Sequence, residues 1–146
     1  MPVGIPILSG VTSAANRHSM FKVKKTQHVL AVNDFDAAEK YFVEKLGFTL
    51  QRRIGDDWLF LNLDRFCLMV GNCKGEVLAR ETGNHSWFAY VNCEGIDELF
   101  ADYEQRGVTF TQRIATKPWG LREFGVVTPE GHRITFGQEV RRGIAE

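Results

Sequence analysis

Neither sign of charge predominates in these 146 residues: eighteen Lys and Arg balance eighteen Asp and Glu. A basic groove for nucleic acid and a polybasic patch for a membrane surface therefore lack their raw material. Cysteine is scarce and odd in number. Cys67, Cys73 and Cys93 form no Cys-x-x-Cys pair, which speaks against a zinc knuckle and for a reduced, cytoplasmic setting. No apolar run approaches the roughly 20 residues of a bilayer span. No basic segment precedes the short apolar patch at residues 3–8, as it would in a signal peptide. Gly-rich phosphate loops, Gly-x-Ser-x-Gly and His-Glu-x-x-His are also missing, which removes the commonest nucleotide, serine-hydrolase and zinc-protease chemistries.

What is present is a repeat. Gly47-Phe48-Thr49-Leu50-Gln51-Arg52-Arg53-Ile54 returns sixty positions later as Gly107-Val108-Thr109-Phe110-Thr111-Gln112-Arg113-Ile114. Each copy follows an amphipathic helical stretch, and each of those follows a strand-like run. A solenoid needs three or more copies to bury a continuous core, so two copies point instead to paired halves. A chain of this length, 44% apolar and 25% charged, can bury one core and has little room for two independent domains.

The halves read alike. Residues 26–33 suit a strand, and Asp34 suits a helix cap, because a short carboxylate can accept the free N–H groups of a first turn. Phe35, Ala38, Phe42 and Leu46 recur at helical spacing until Gly47 supplies a left-handed stop. Strands are expected at 48–54, 57–63 and 65–70. In the second of these Leu59, Leu61 and Leu63 alternate with Trp58, Phe60 and Asn62, so its two faces differ. The second half predicts a strand over 86–92, a helix over 96–106 ended by Gly107, and strands near 108–114, 121–127 and 132–138. The expected fold is α+β: module 1 (23–71) and module 2 (85–140) form a single domain over 23–140, joined by a linker at 72–84. The curved mixed sheets enclose a central cleft. Residues 1–22 fall outside the repeat and read as a leader or arm.

The doubled β-α-β-β-β order resembles the vicinal oxygen chelate superfamily of glyoxalases, bleomycin resistance proteins and dioxygenases. Val32-Asn33-Asp34-Phe35-Asp36-Ala37-Ala38, Tyr41-Phe42 and Leu46-Gly47-Phe48 carry the likeness in the first half. Pro118-Trp119-Gly120-Leu121-Arg122-Glu123-Phe124, Thr128-Pro129-Glu130-Gly131-His132 and Ile134-Thr135-Phe136-Gly137 resemble the bleomycin-resistance branch. Enzymes of the superfamily hold a divalent metal between their sheets. The resemblance carries their ligand places onto Gln27, Met69, Ser86 and Thr135, and puts Thr135 where a glutamate stands. A hydroxyl is a poor substitute for a carboxylate, and a thioether is too soft for Mg or Mn. No cofactor is therefore expected. The alternative recruits His28 or His85 beside Gln27 for Mn, Fe, Ni or Zn.

With Thr135 and Met69 in the cleft, alternation adds Trp58, Phe60, Phe88 and Tyr90. The resemblance adds Trp119 and Arg122 near its mouth. Aromatic walls with a few polar groups suit a flat organic molecule. Arg122 and Arg133 beside Glu123 favour a neutral or anionic aromatic ligand over a cationic drug. Metal-free binding of a small aromatic or antibiotic-like molecule by a homodimeric sequestering protein follows as the leading expectation. A metal-dependent lyase or dioxygenase is the alternative, and a scaffold whose cleft is filled by its own side chains is a third reading.

Overall fold

A computed structural model describes residues 20–140. The leader or arm expected over 1–22 falls, up to residue 19, outside the described residues. Strand β1 (His28–Val32) leads to helix α1 (Phe35–Lys40), capped by the Asp34 carboxylate on the Ala37 N–H at 3.1 Å. The helix continues through a wider π-helical turn over Tyr41–Lys45, where Leu46 N–H bonds to Tyr41 O. Strands β2 (Thr49–Ile54), β3 (Trp58–Leu63) and β4 (Phe66–Asn72) complete the first module. A kinked 3₁₀ segment (Ala79–Ser86) leads to β5 (Trp87–Asn92), helix α2 (Ile96–Gln105), β6 (Phe110–Thr116), β7 (Leu121–Val127) and β8 (Arg133–Glu139). Gly47 and Gly107, the first residues of the repeat, stand at φ of 80° and 74° just past the two helices. A side chain would strain that left-handed turn, which is why both copies begin with glycine.

The modules make two four-stranded mixed sheets of identical order, β1-β4-β3-β2 and β5-β8-β7-β6. In each, the first strand pairs parallel to the fourth and the remaining pairs are antiparallel. Alternation then sorts each sheet into two faces. Leu59, Leu61, Leu68 and Val70 of the first and Phe124, Val126, Ile134 and Phe136 of the second are buried. Together with Phe42, Leu46, Ile96, Phe100 and Tyr103 from the helical stretches they form one core. Burying each such side chain contributes roughly 1.5–3 kcal/mol, so the shared core dominates stability.

The two modules grip each other through the helical side. Tyr103 donates its hydroxyl to Leu46 O at 2.7 Å, and Tyr41 donates to Val127 O at 3.3 Å. Lys45 Nζ reaches Arg106 O, and Arg106 returns a bond to Glu44 O. The Glu130 carboxylate of the β7–β8 turn accepts the backbone N–H groups of Asn33 and Asp34 at 2.8–2.9 Å. What remains free of the core is the other face of each sheet.

Candidate functional site

Each sheet presents one open face, and these faces carry most of the aromatic residues singled out from sequence. On the first sheet, Trp58, Phe60 and Asn62 of β3 stand opposite in parity to the buried leucines, and they neighbour Gly71, Met69 and Cys67 of β4. A Cβ on Gly71 would lie 3.2 Å from the Trp58 ring, so the indole occupies the space that glycine leaves. Val29, 65% exposed, continues this face on β1, where it pairs with Met69.

The second sheet's face is built around a carboxylate. Glu123 on β7 pairs with Gly137 on β8, and Thr135 pairs with both Tyr90 and Gly125. Tyr90 donates its hydroxyl to Glu123 Oε2 at 2.8 Å, and that hydroxyl fills the space a Cβ on Gly137 would need. Trp119, in the β6–β7 turn closed by Lys117 N–H on Leu121 O, donates its indole N–H to the same Oε2 at 3.4 Å. Glu123 is only 7% exposed, whereas Trp119 is 62% exposed. Burial, then the hydrogen bond to Glu123, pushes the Tyr90 phenol well above its ordinary value of 10.0, which keeps it a donor.

Glu123 was not among the residues picked from sequence. Its signal was available: Phe124 and Val126 are core residues, so alternation turns Glu123 to the open face and Arg122 away from it. Arg122 accordingly is not at a cleft mouth. It lies on the helical side, bonded to Asp97 at the start of α2 at 2.8 Å and to the Thr116 hydroxyl at 3.0 Å. Phe88 also leaves the expected set. The β5–β8 register shifts between Trp87 and Ala89, and such a bulge reverses the parity of the residues before it. Phe88 therefore packs against the core, near the rings of His28, Phe66 and His132. Trp58, Phe60 and Met69 share one open face; Tyr90, Thr135 and Trp119 share the other. Among the described residues no hydrogen bond or ring contact joins the two faces. A groove of about 1440 Å³ runs between the β5 edge and the β3–β4 turn and touches Tyr90 but neither Trp58 nor Trp119.

The four places that would hold a metal do not suit one. Ser86 is buried with its hydroxyl accepting from Arg133 Nε at 2.8 Å, and the same guanidinium also bonds Gly83 O, so a cation already stands there. Met69 and Thr135 offer a thioether and a neutral hydroxyl. His28 pairs in register with Leu68, on the core side, and its ring lies edge-on to Phe66 at 5.4 Å. Gln27, the preceding residue, has the opposite parity. His85 is exposed in the 3₁₀ segment. Among the described residues no three His, Cys, Asp or Glu side chains converge as a metal site needs.

Paired βαβββ modules, each a four-stranded mixed sheet with one open face, define the class by its fold. The family model for the Glyoxalase/Bleomycin resistance protein/Dioxygenase superfamily matches residues 25–136, and the chain belongs to that superfamily. A glyoxalase/bleomycin resistance protein/dioxygenase from Alicyclobacillus acidocaldarius shares the fold at a TM-score of 0.70 and 19% identity, over 84% of this chain and 96% of that one. TioX from Micromonospora sp. ML1 is similar at 0.61 and 27%, covering 81% and 98%. A lactoylglutathione lyase from Agrobacterium tumefaciens gives 0.58 and 17%, covering 81% and 93%. No curated protein matches the chain. No helix among the described residues is long and apolar enough to cross a membrane.

Proposed function

We propose that this protein binds a small aromatic molecule without a metal and acts by sequestering it, as a member of the bleomycin-resistance type. The observation that carries this reading is the chemistry of the open faces. Trp58, Phe60, Tyr90 and Trp119 supply aromatic surface, while the four metal places supply a thioether, two hydroxyls and one amide. Sequestration needs no proton transfer, only burial of ligand surface that outweighs the loss of ligand freedom. One open face cannot bury a ligand on both sides. Val29, Trp87 and Trp119 are each more than half exposed, so among the described residues nothing covers either face. A second copy of the chain laying its face against the first would supply that lid, and a homodimer is part of the proposal.

Two measurements test it. Metal analysis of protein purified without chelators is expected to find no stoichiometric Mn, Fe, Ni or Zn. A stoichiometric metal would favour the lyase or dioxygenase alternative. Analytical ultracentrifugation is expected to show a dimer whose Trp fluorescence is quenched by aromatic ligands. A monomer that still buries the ligand would remove the second chain from the site.

A further inference from the structure

We propose that Glu123 recognises a protonated nitrogen, so that the ligand of the β5–β8 face is an aromatic or heteroaromatic amine. This inference rests on the ligand-binding reading above and narrows it. Sequence alone pointed the other way, toward a neutral or anionic ring, because the chain is neutral overall and Arg122 and Arg133 were expected near the cleft beside Glu123. Both guanidinium groups are committed elsewhere: Arg122 to Asp97 and Thr116, Arg133 to Ser86, Gly83 O and the Asn84 side chain.

Glu123 is the one acidic side chain that is buried among the described residues, and it has no cation. No Lys, Arg or His nitrogen there lies within 4.0 Å of it, whereas Arg53 alone gathers three acidic partners, Asp36, Glu39 and Asp56. Both donors to Glu123, the Tyr90 hydroxyl and the Trp119 indole N–H, address Oε2; no described residue donates to Oε1. The other buried polar residues are provided for. Ser86 has Arg133, and Thr128 and His132 bond one another. A carboxylate taken out of water needs either a counter-charge or a full set of donors, and Glu123 has half a set and no counter-charge. Oε1 is the acceptor left over.

A ligand ammonium or protonated ring nitrogen supplies what is missing: a donor and a positive charge together. A charged donor to a carboxylate makes a shorter and stronger bond than a neutral one. The aromatic part of the same molecule then extends over the remaining face. An anionic ring would meet Glu123 as a like charge at close range in a poorly hydrated place, which is the least favourable pairing available.

Three naphthalene probes of nearly one shape separate the possibilities: 1-naphthylmethylamine, 1-naphthylmethanol and 1-naphthoate, titrated calorimetrically near neutral pH. The native protein is expected to bind the amine at least about tenfold more tightly than the alcohol, equivalent to about 1.4 kcal/mol, and the carboxylate most weakly. Glu123→Gln is expected to erase the amine's advantage over the alcohol. If the alcohol binds as tightly as the amine in the native protein, or if the advantage survives in Glu123→Gln, the role of Glu123 falls and the aromatic-binding reading stands. If none of the three binds, both fall together. The native comparison needs no variant, so it decides the matter even if Glu123→Gln folds poorly.

Discussion

Trp58 and Glu123 occupy the same place in the two halves of the molecule. Each lies on the third strand of its module and pairs with a glycine of the fourth, Gly71 and Gly137 respectively. In the first half an indole covers the glycine. In the second a tyrosine hydroxyl does so, and the carboxylate bonds to it. The core sides of the same strands have not diverged in this way. Leu59 opposite Val70 corresponds to Phe124 opposite Phe136, and Leu61 opposite Leu68 corresponds to Val126 opposite Ile134. Burial holds one side of a duplicated sheet to apolar residues, because a polar group there would cost the stability of the whole core. The open side bears no such burden, and it is where the two halves have become an apolar wall and a charged one.

The largest expected effect tests whether the halves share one core. Leu68→Ala and Ile134→Ala should each destabilise the protein by about 2–5 kcal/mol, read as parallel losses in chemical denaturation with one transition. Two separate transitions would mean that the modules fold as independent units. The glycines give the next contrast. A Cβ at position 137 would lie 1.9 Å from the Tyr90 hydroxyl and displace it, so Gly137→Ala should cost about 1–3 kcal/mol and alter ligand binding. At position 71 the Trp58 ring needs to yield only a few tenths of an ångström, so Gly71→Ala should cost less than about 1 kcal/mol in the same melts. Equal losses at the two sites would contradict the described difference between the faces.

Alkali offers a third comparison, between the tyrosine of the open face and the two that join the modules. Burial raises Tyr41 and Tyr103 above the ordinary 10.0, as burial and Glu123 raise Tyr90. Folding therefore favours the neutral phenols. Their contribution is fully present below the unfolded value near 10 and is lost as pH rises toward the folded values. Absorbance titration should show little phenolate in the folded protein until the alkaline unfolding transition, where all three ionise together. A tyrosine that titrates near its ordinary value while the protein stays folded would count against its burial. The smallest effect on stability belongs to Trp119→Ala: within about 0.5 kcal/mol in thermal melts, but with a clear loss of aromatic-ligand affinity. A large drop in melting temperature with affinity intact would make Trp119 a packing residue.

Much of the fold was legible because its signals are local. The sixty-residue repeat, the cap at Asp34, the stops at Gly47 and Gly107 and the alternation in β3 each depend on a few neighbouring residues, and each element appears within a residue or two of where they place it. The side of His28 followed from the same reasoning, since Leu30 and Val32 share its parity and need the core. Arg122 was legible in principle through Phe124, but a family likeness for the loop before it outweighed the alternation. Phe88 was not legible. A bulge in β5 depends on how β8 lies beside it, and no residue of β5 announces the shift. The isolation of Glu123 was hidden for a related reason: Arg122 is held by Asp97 and Arg133 by Gly83 O, partners 25 and 50 positions away in the chain.

The order of apolar and polar residues by itself determined that there would be two βαβββ modules and which side of most strands would be buried, since periodicity and water decide both locally. Only the tertiary structure decided which charges meet. Attraction between ions depends on separation in space and on the water excluded around them, and the chain fixes neither until its distant segments have packed.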